Sequence, residues 1–219
     1  MKIAFDLDGT LYDTLPRMLE VDRSIRRDFG YQDISQGEYK SKFQSRDWKK
    51  FYRDLGIRDE DLDDVIKEFV TRFKLSSPPE MIPGAREILQ KTEQRIGQEN
   101  ISIITNETSE GIRKRFERDG LVHYLDRVYN PFQGKSEELY RLATSNNGSP
   151  LFYIGDLVSD REDCREARKK GAENLRFCGI VHPYAMNTEE AMRKFVQNNM
   201  DFAQILNNLN EVERLWNQQ

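Results

Sequence analysis

The segment KIAFDLDGT, residues 2–10, joins a short hydrophobic run to two acidic residues. Residues 2–5 predict a buried strand, and Gly9 is a favourable turn residue. Residues i and i+2 of an extended backbone lie on one face, so Asp6 and Asp8 begin side by side. Two carboxylates that close repel each other unless a cation or a proton intervenes. The segment therefore predicts a charged site where the first strand ends.

The composition is that of a polar globular protein with one main domain and a smaller companion. The chain has 219 residues, of which 37% are hydrophobic and 33% charged, and its formal net charge is −4. This mild acidity gives no electrostatic reason to expect a nucleic acid partner. No apolar stretch approaches the roughly twenty residues that a membrane span needs, and the first residues predict a strand instead of a signal peptide. Cys164 and Cys178 lack metal-binding spacing and fit reduced thiols, so we expect a cytoplasmic protein with no membrane partner.

Short hydrophobic runs alternate with helix-like segments along most of the chain. The runs cover 2–5, 101–104, 127–129, 151–154, 176–181 and 201–206. The helical segments cover 84–95, 109–119, 135–145, 160–170 and 188–198. Such alternation is typical of a parallel sheet flanked by helices. We predict the α/β class, with a doubly wound, mostly parallel sheet and a Rossmann-like core.

One long interval breaks this alternation. Between Thr14 and Met81 there is no comparable strand run, but 15–28, 36–55 and 59–73 are amphipathic and helical in pattern. We predict an inserted helical cap domain at 15–81, and an α/β core at 1–14 and 82–219. The Pro/Ser/Gly-rich stretch 76–84 predicts the linker that leads back from the cap to the core.

Polar residues follow several of the predicted strands. Because ligands of doubly wound sheets bind at the carboxyl ends of the strands, these residues predict one converging site. They are Asp6 and Asp8 after the first strand, Thr105 and Asn106 after 101–104, Lys135 after 127–129, and Asp156 and Asp160 after 151–154. Taken singly, Thr105 and Asn106 also fit helix capping, and Lys135 also fits a surface lysine.

This set of residue types is what phosphoryl transfer to a carboxylate requires. The substrate is anionic, so an acidic nucleophile approaches it only when an ammonium group and a divalent cation neutralise the charge. A hard cation such as Mg²⁺ suits carboxylate and carbonyl oxygens. A second carboxylate can protonate the leaving oxygen and later accept a proton from water.

In these motifs the chain resembles the haloacid dehalogenase-like superfamily over nearly its whole length. Residues 6–10 (DLDGT) resemble the first motif of that family, Thr105-Asn106 the second, Lys135 the third, and 155–160 (GDLVSD) the fourth. The insert is similar in size and position to the helical cap of the phosphoglycolate phosphatase and β-phosphoglucomutase branch.

The resemblance implies a role for each residue of these motifs. Asp6 would be the nucleophile that forms an aspartyl-phosphate, and Asp8 the general acid and base. Mg²⁺ would be held by Asp6, the backbone carbonyl of Asp8 and Asp156, with Asp160 supporting it directly or through other ligands. Phosphate would be bound by Thr105, the backbone at Asn106, and Lys135. An acid at position 8 favours phosphate esters over carbon–halogen bonds as substrates.

We therefore expect a Mg²⁺-dependent phosphatase that acts on a small phosphorylated metabolite. Two alternatives stay open, namely a phosphomutase of the β-phosphoglucomutase type and a non-catalytic protein that binds a phosphorylated ligand. In the predicted cap, the stretch 43–50 combines cations with aromatic residues, and Arg46 is its candidate for substrate binding. Burial of Trp48 in the core of the cap explains the same pattern without a ligand.

Overall fold

The computed structural model describes residues 1–43, 47–131 and 134–218. Within this part of the chain, six strands form one parallel sheet in the order β5-β4-β1-β6-β7-β8. Their bounds are β1 Lys2–Phe5, β4 Ile101–Ile104, β5 Val128–Tyr129, β6 Leu151–Gly155, β7 Leu175–Ile180 and β8 Ala203–Leu206. A separate antiparallel pair is formed by β2 (Tyr12–Asp13) and β3 (Glu80–Met81). The predicted doubly wound α/β fold is confirmed.

Helices surround the sheet and fill the interval that was predicted as an insert. The helices of this interval are α1 Leu15–Asp28, α2 Gln36–Lys42, α3 Trp48–Asp54 and α4 Leu62–Leu75. Those packed against the sheet are α5 Ala85–Ile96, α6 Ser109–Arg118, α7 Ser136–Thr144, α8 Val158–Lys169 and α9 Glu189–Gln197, with a 3₁₀ segment at Leu209–Asn217. None of the helices in the described ranges has the length and apolar character that crossing a membrane requires.

Side-chain alternation assigns residues of one strand to opposite faces of the sheet. Ile3 and Phe5 join the hydrophobic cluster under α5 and α6, whereas Ala4 joins the cluster under α7, α8 and α9. In β6, Phe152 and Tyr153 divide between the two clusters in the same way. Successive residues of a strand point to opposite faces, so both sides of each central strand are buried.

The four helices α1 to α4 pack around a third hydrophobic cluster, which Met186 and Leu157 join from the side of the sheet. It contains a chain of aromatic rings, in which Trp48 lies 5.2 Å from Phe69 and Phe69 lies 5.5 Å from Phe73, measured between ring centroids. A core formed mainly by these helices is what an inserted unit needs, but the division into two domains at 15–81 stays a prediction.

The predicted continuous helical stretch 36–55 is wrong in one respect. The structure has two helices there, since α2 ends at Lys42 and α3 begins at Trp48. The physical reason lies in the cap of α3, where Asp47 is extended and its side chain accepts a hydrogen bond from the backbone N of Lys50 at 2.9 Å. An N-cap residue has non-helical dihedral angles, so a helix cannot run through it.

The chain leaves and re-enters the sheet region through the β2–β3 pair. Tyr12 pairs with Met81, and Asp13 pairs with Glu80. Arg118 of α6 holds the returning strand, because its guanidinium donates hydrogen bonds to the carbonyl oxygens of Pro78 at 3.2 Å and Pro79 at 2.7 Å. Both connections between α1–α4 and the sheet therefore run side by side, next to the end of β1.

Candidate active site

A cavity of about 320 Å³ lies between the carboxyl ends of the strands and the helices α1, α3 and α4. Its floor brings together residues that follow different strands of the sheet. These are Asp6 and Asp8 after β1, Thr105 and Asn106 after β4, Lys135 before α7, and Asp160 in the first turn of α8. Asp156 lies beside this floor, next to Asp6 and Asp160.

Asp6 is held by contacts to one of its carboxylate oxygens. Its Oδ1 lies 2.7 Å from the Nζ of Lys135 and accepts a hydrogen bond from the backbone N of Leu7 at 2.7 Å. Burial raises the pKa of Asp6 well above the usual range, as does the charge of Asp160, while Lys135 opposes this rise. The carboxylate form of Asp6 consequently depends on nearby positive charge.

Lys135 links two of the acidic residues. Its Nζ lies 2.7 Å from the Oδ1 of Asp160 and donates a hydrogen bond to the hydroxyl of Tyr153 at 2.7 Å. Burial alone would lower the pKa of Lys135, but Asp160 and Asp6 outweigh it and raise the pKa. Lys135 is therefore a fixed cation at the floor of the cavity. It is not a solvated surface lysine, since its residue exposure is 2%.

Asp156 differs from Asp160 in having an unused oxygen. The Oδ2 of Asp156 accepts a hydrogen bond from the backbone N of Met186, whereas its Oδ1 is buried without a hydrogen-bond partner among the described residues. Burial, followed by the charge of Asp160, raises the pKa of Asp156 to about 8. In Asp160, Oδ1 contacts Lys135 and Tyr153, and Oδ2 accepts a hydrogen bond from the backbone N of Leu157 at 3.1 Å.

The three buried acids fit a hard cation. Ligand oxygens of Asp6, Asp156 and Asp160 all lie within 4.8 Å of one another. If all three are ionised, Lys135, which contacts Asp6 and Asp160, balances one of the three charges, and a bound cation would neutralise the rest and favour the ionised forms. Carboxylate oxygens alone suit Mg²⁺, Ca²⁺ or Mn²⁺ better than metals that prefer nitrogen or sulfur.

Gly9 makes room for this cluster. Its φ is +72°, in the left-handed region that favours glycine. A Cβ at this position would collide with the carboxylate of Asp156. The turn after β1 therefore needs glycine both for its backbone conformation and for the close approach of an acidic side chain.

Asp8 pairs with a cation, Arg115, that lies outside the set of residues predicted for the site. The Oδ1 of Asp8 accepts hydrogen bonds from Arg115 Nη1 at 2.7 Å and from the hydroxyl of Thr14 at 2.6 Å. Arg115 also contacts Glu107 Oε2 at 2.5 Å, and its side chain is only 1% exposed. Burial would raise the pKa of Asp8, but Arg115 and Thr14 outweigh it, so the pKa lies below the usual value.

Asp6 and Asp8 therefore have different positively charged partners, since Lys135 contacts Asp6 and Arg115 contacts Asp8. The sequence did contain a signal for Arg115. It lies on the same face of α6 as the buried residues Ile112 and Phe116. A charged residue on the apolar face of a helix needs a buried partner. The sequence could not indicate that the partner would be Asp8.

The second pair of predicted phosphate ligands also lies at the cavity. Thr105 is buried, and its hydroxyl accepts a hydrogen bond from the backbone N of Glu107 at 3.1 Å. Asn106 is exposed and lines the cavity. Neither residue caps α6, because the side chain of Thr108 does so by accepting a hydrogen bond from Gly111 N at 3.2 Å. Arg46, the candidate from the cap, lies outside the described residues.

Comparisons with known proteins agree with the fold and the motifs. Residues 3–173 match the family described as haloacid dehalogenase-like hydrolase. Phosphoglycolate phosphatase of Synechococcus elongatus is 25% identical over 171 residues, which is 75% of this chain and 78% of the relative.

Solved structures give the same picture of the fold. A haloacid dehalogenase-like hydrolase from Streptococcus pneumoniae has a TM-score of 0.73 at 14% identity, covering 98% of this chain and 97% of its own. A hydrolase from Deinococcus radiodurans with bound phosphate and sodium has a TM-score of 0.69 at 18% identity, covering 96% and 92%.

Proposed function

The chain belongs to the haloacid dehalogenase-like hydrolase family, and from this we propose that it is a Mg²⁺-dependent phosphatase acting on a small phosphorylated metabolite. The observation that carries the proposal is the contact of Asp6 with Lys135 beside the buried Oδ1 of Asp156, which no described residue hydrogen-bonds. A carboxylate held by a lysine, next to a site for a divalent cation, is equipped to attack phosphorus. The name of the Synechococcus relative adds support for phosphatase chemistry.

In the first step, Asp6 attacks the phosphorus atom of the ester. Because Oδ1 of Asp6 is held by Lys135 and the backbone of Leu7, we assign the attack to Oδ2. A bond forms between this oxygen and phosphorus while the bond between phosphorus and the ester oxygen breaks. The ester oxygen takes a proton from Asp8, which must bind that proton before the step because Arg115 and Thr14 hold its pKa below the usual value; the alcohol then leaves neutral and an aspartyl-phosphate remains.

In the second step, water attacks the phosphorus atom and Asp8 accepts its proton. The bond between phosphorus and Asp6 breaks, which releases inorganic phosphate and restores the carboxylate. Arg115 and Thr14 position Asp8 for both proton transfers, since they hold its Oδ1. Thr105 and Asn106 line the cavity where they can donate hydrogen bonds to the phosphoryl oxygens.

Mg²⁺ would be held by Asp6, Asp156 and the backbone carbonyl of Asp8. When bound, it neutralises charge on the carboxylates and on the phosphoryl oxygens. We assign Asp160 to the support of Lys135 and not to direct metal binding. Both of its oxygens already accept hydrogen bonds, whereas Asp156 Oδ1 has no partner in the described ranges.

We also propose that α1 to α4 act as a cap over this reaction. Contacts already join the two parts, since Lys40 donates a hydrogen bond to the carbonyl oxygen of Pro183 at 3.1 Å, and Asn187 donates one to the carbonyl oxygen of Phe43 at 2.6 Å. Closure of such a cap excludes bulk water from the reacting groups, and its opening admits substrate.

The substitution Asp6→Asn tests the nucleophile. We expect loss of phosphate release from a panel of phosphate monoesters with Mg²⁺, and an unchanged circular dichroism spectrum. Asp126→Asn is the matched control, because Asp126 is exposed and does not line the cavity. Analysis of the products separates a phosphatase, which releases phosphate, from a phosphomutase, which releases an isomer of the substrate.

Trapping the intermediate tests the covalent step. Acid-quenched wild-type enzyme should carry a phosphoryl group in its intact mass, and hydroxylamine should remove it because acyl phosphates react with that reagent. The Asp6→Asn enzyme should carry none. Turnover by Asp6→Asn at the wild-type rate, or a hydroxylamine-labile phosphoryl group on it, would refute the proposed mechanism.

A further inference from the structure

The walls of the cavity have a different character from its floor. On the side of α1 to α4 they are formed by Met18, Phe43, Trp48, Phe69, Val70 and Phe73. Leu157 and Met186 continue this apolar surface on the side of the sheet. The charged and polar groups that bind phosphate are thus at one end of a hydrophobic chamber.

Positive charge is scarce on these walls. Lys74 is the one cation of α1 to α4 that lines the cavity within the described residues, and it is exposed at the end of α4. Arg17 is nearby but engaged, since its guanidinium lies 4.1 Å from the ring centroid of Phe73 and donates hydrogen bonds to the Oγ of Ser76 at 2.5 Å and its carbonyl oxygen at 2.9 Å. A second anionic group placed against the apolar wall would therefore lose water without gaining a partner among the described side chains of that wall.

The volume is larger than a phosphate group needs. About 320 Å³ corresponds to the share of roughly ten molecules of liquid water, at about 30 Å³ each. A phosphoryl group occupies a fraction of that space at the floor. Val70, at the cavity, leaves 46% of its surface exposed. An apolar group of several carbon atoms would cover it.

We propose that the substrate is the monophosphate of an apolar alcohol, whose uncharged alkyl or aryl group fills this chamber while its phosphate lies at Asp6 and Lys135. This rests on the proposed phosphatase function and specifies its substrate class. It disfavours short substrates that carry a carboxylate beside the phosphate, such as phosphoglycolate, because the apolar side chains of the wall offer a carboxylate neither a hydrogen bond nor a counter-charge, and the cation Lys74 is exposed at the end of α4.

A homologous series of substrates tests the proposal. We would measure kcat/KM for ethyl, butyl and hexyl monophosphate and for phosphoglycolate, with Mg²⁺ at one pH, by release of phosphate. The alkyl esters share one leaving-group chemistry, so their differences report binding of the chain. We expect kcat/KM to rise about fourfold per added methylene, which corresponds to ~0.8 kcal/mol for each buried CH₂. The kcat/KM for phosphoglycolate should be at least about tenfold below that for butyl phosphate.

The substitution Val70→Ser locates the effect in the chamber. It should lower kcat/KM for hexyl phosphate by about threefold to tenfold, and by a smaller factor for ethyl phosphate, whose shorter chain covers less of the wall. Val122→Ser is the matched control, because Val122 is 49% exposed and does not line the cavity. Val122→Ser should leave kcat/KM unchanged for every substrate of the series.

Each outcome bears on one of the two proposals. A flat alkyl series, a preference for phosphoglycolate over butyl phosphate, or equal effects of Val70→Ser and Val122→Ser on hexyl phosphate would overturn the substrate class. A further outcome would also overturn it: wild type hydrolyses phosphoglycolate faster than butyl phosphate, and Lys74→Met loses its activity on phosphoglycolate. Absence of hydrolysis of every ester would instead refute the phosphatase function.

Discussion

Replacing Arg115 by Met should destabilise the protein strongly, because Arg115 is a buried cation between two acidic residues. Its guanidinium contacts Asp8 at 2.7 Å and Glu107 at 2.5 Å. It also lies 5.4 Å from the ring centroid of Tyr12. Methionine keeps much of the side-chain volume and removes the charge. Two carboxylates would then remain together in a poorly solvated place.

The size of the effect follows from the burial of the three groups. Removing one partner of a buried ion pair costs about 3–5 kcal/mol. The side chain of Arg115 is 1% exposed and that of Glu107 is 15% exposed, but that of Asp8 is 32% exposed and keeps some contact with water. We therefore expect the lower end, about 3 kcal/mol. For a chain of this size that is a fall in Tm of roughly 6–12 °C.

Urea and thermal unfolding followed by circular dichroism measure this loss. The matched control is Arg113→Met, on the same helix, because Arg113 is exposed. It should change the free energy of unfolding by less than about 0.5 kcal/mol. Adding Glu107→Gln to Arg115→Met should restore part of the stability, since it removes one of the two unpaired charges.

Two results would refute this reasoning. The first is an Arg115→Met protein as stable as Arg113→Met. The second is a double variant with Glu107→Gln that is less stable than Arg115→Met alone, because like-charge repulsion could not then be the cause of the loss.

Three further predictions concern other parts of the structure. Gly9→Ala should cost more stability than Gly30→Ala in urea unfolding, since both residues have φ above +70° but only a Cβ at position 9 would meet Asp156. Mg²⁺ at a hundredfold excess over Kd should raise the Tm of wild type by about 5–10 °C, and it should raise the Tm of Asp156→Asn much less. Differential scanning fluorimetry measures both values, and an equal rise in the two proteins would contradict the proposed metal site. Burial raises the pKa of Asp22 to about 6, and Arg26 only partly opposes this. The folded state therefore binds this proton more tightly than the unfolded state. Below pH 4 this adds up to about 3 kcal/mol to the free energy of unfolding, and the contribution is lost as the pH rises through 6. Asp22→Asn should lack this component when unfolding is compared at pH 4 and 7, and an unchanged pH dependence would exclude Asp22 as its source.

The order of strands and helices could be predicted because it depends on local patterns. Residues 2–5 and 101–104 have the bounds of β1 and β4 in the structure. Hydrophobic strands and amphipathic helices can be recognised from the spacing of their apolar residues, since each element must bury one face or stripe. The pair β2–β3 escaped prediction because two-residue strands carry too short a pattern.

The meeting of Asp6, Lys135 and Asp156 could be predicted for a topological reason. All three follow or lie beside parallel strands, and the carboxyl ends of parallel strands meet at one edge of a sheet. Their roles in a reaction remain predictions. The choice between Asp156 and Asp160 as metal ligand could not be predicted, because it depends on which oxygens already accept hydrogen bonds.

The sequence alone determined the fold class and the set of polar groups at the strand ends, because short-range periodicity and the direction of the strands suffice for both. Only the tertiary structure decided that Arg115 is the partner of Asp8, 107 residues away, and that aromatic residues of α3 and α4 form the wall above Asp6. Contacts of this kind depend on how separate elements pack, and the free energy of packing is a property of the whole arrangement that no local pattern of residues contains.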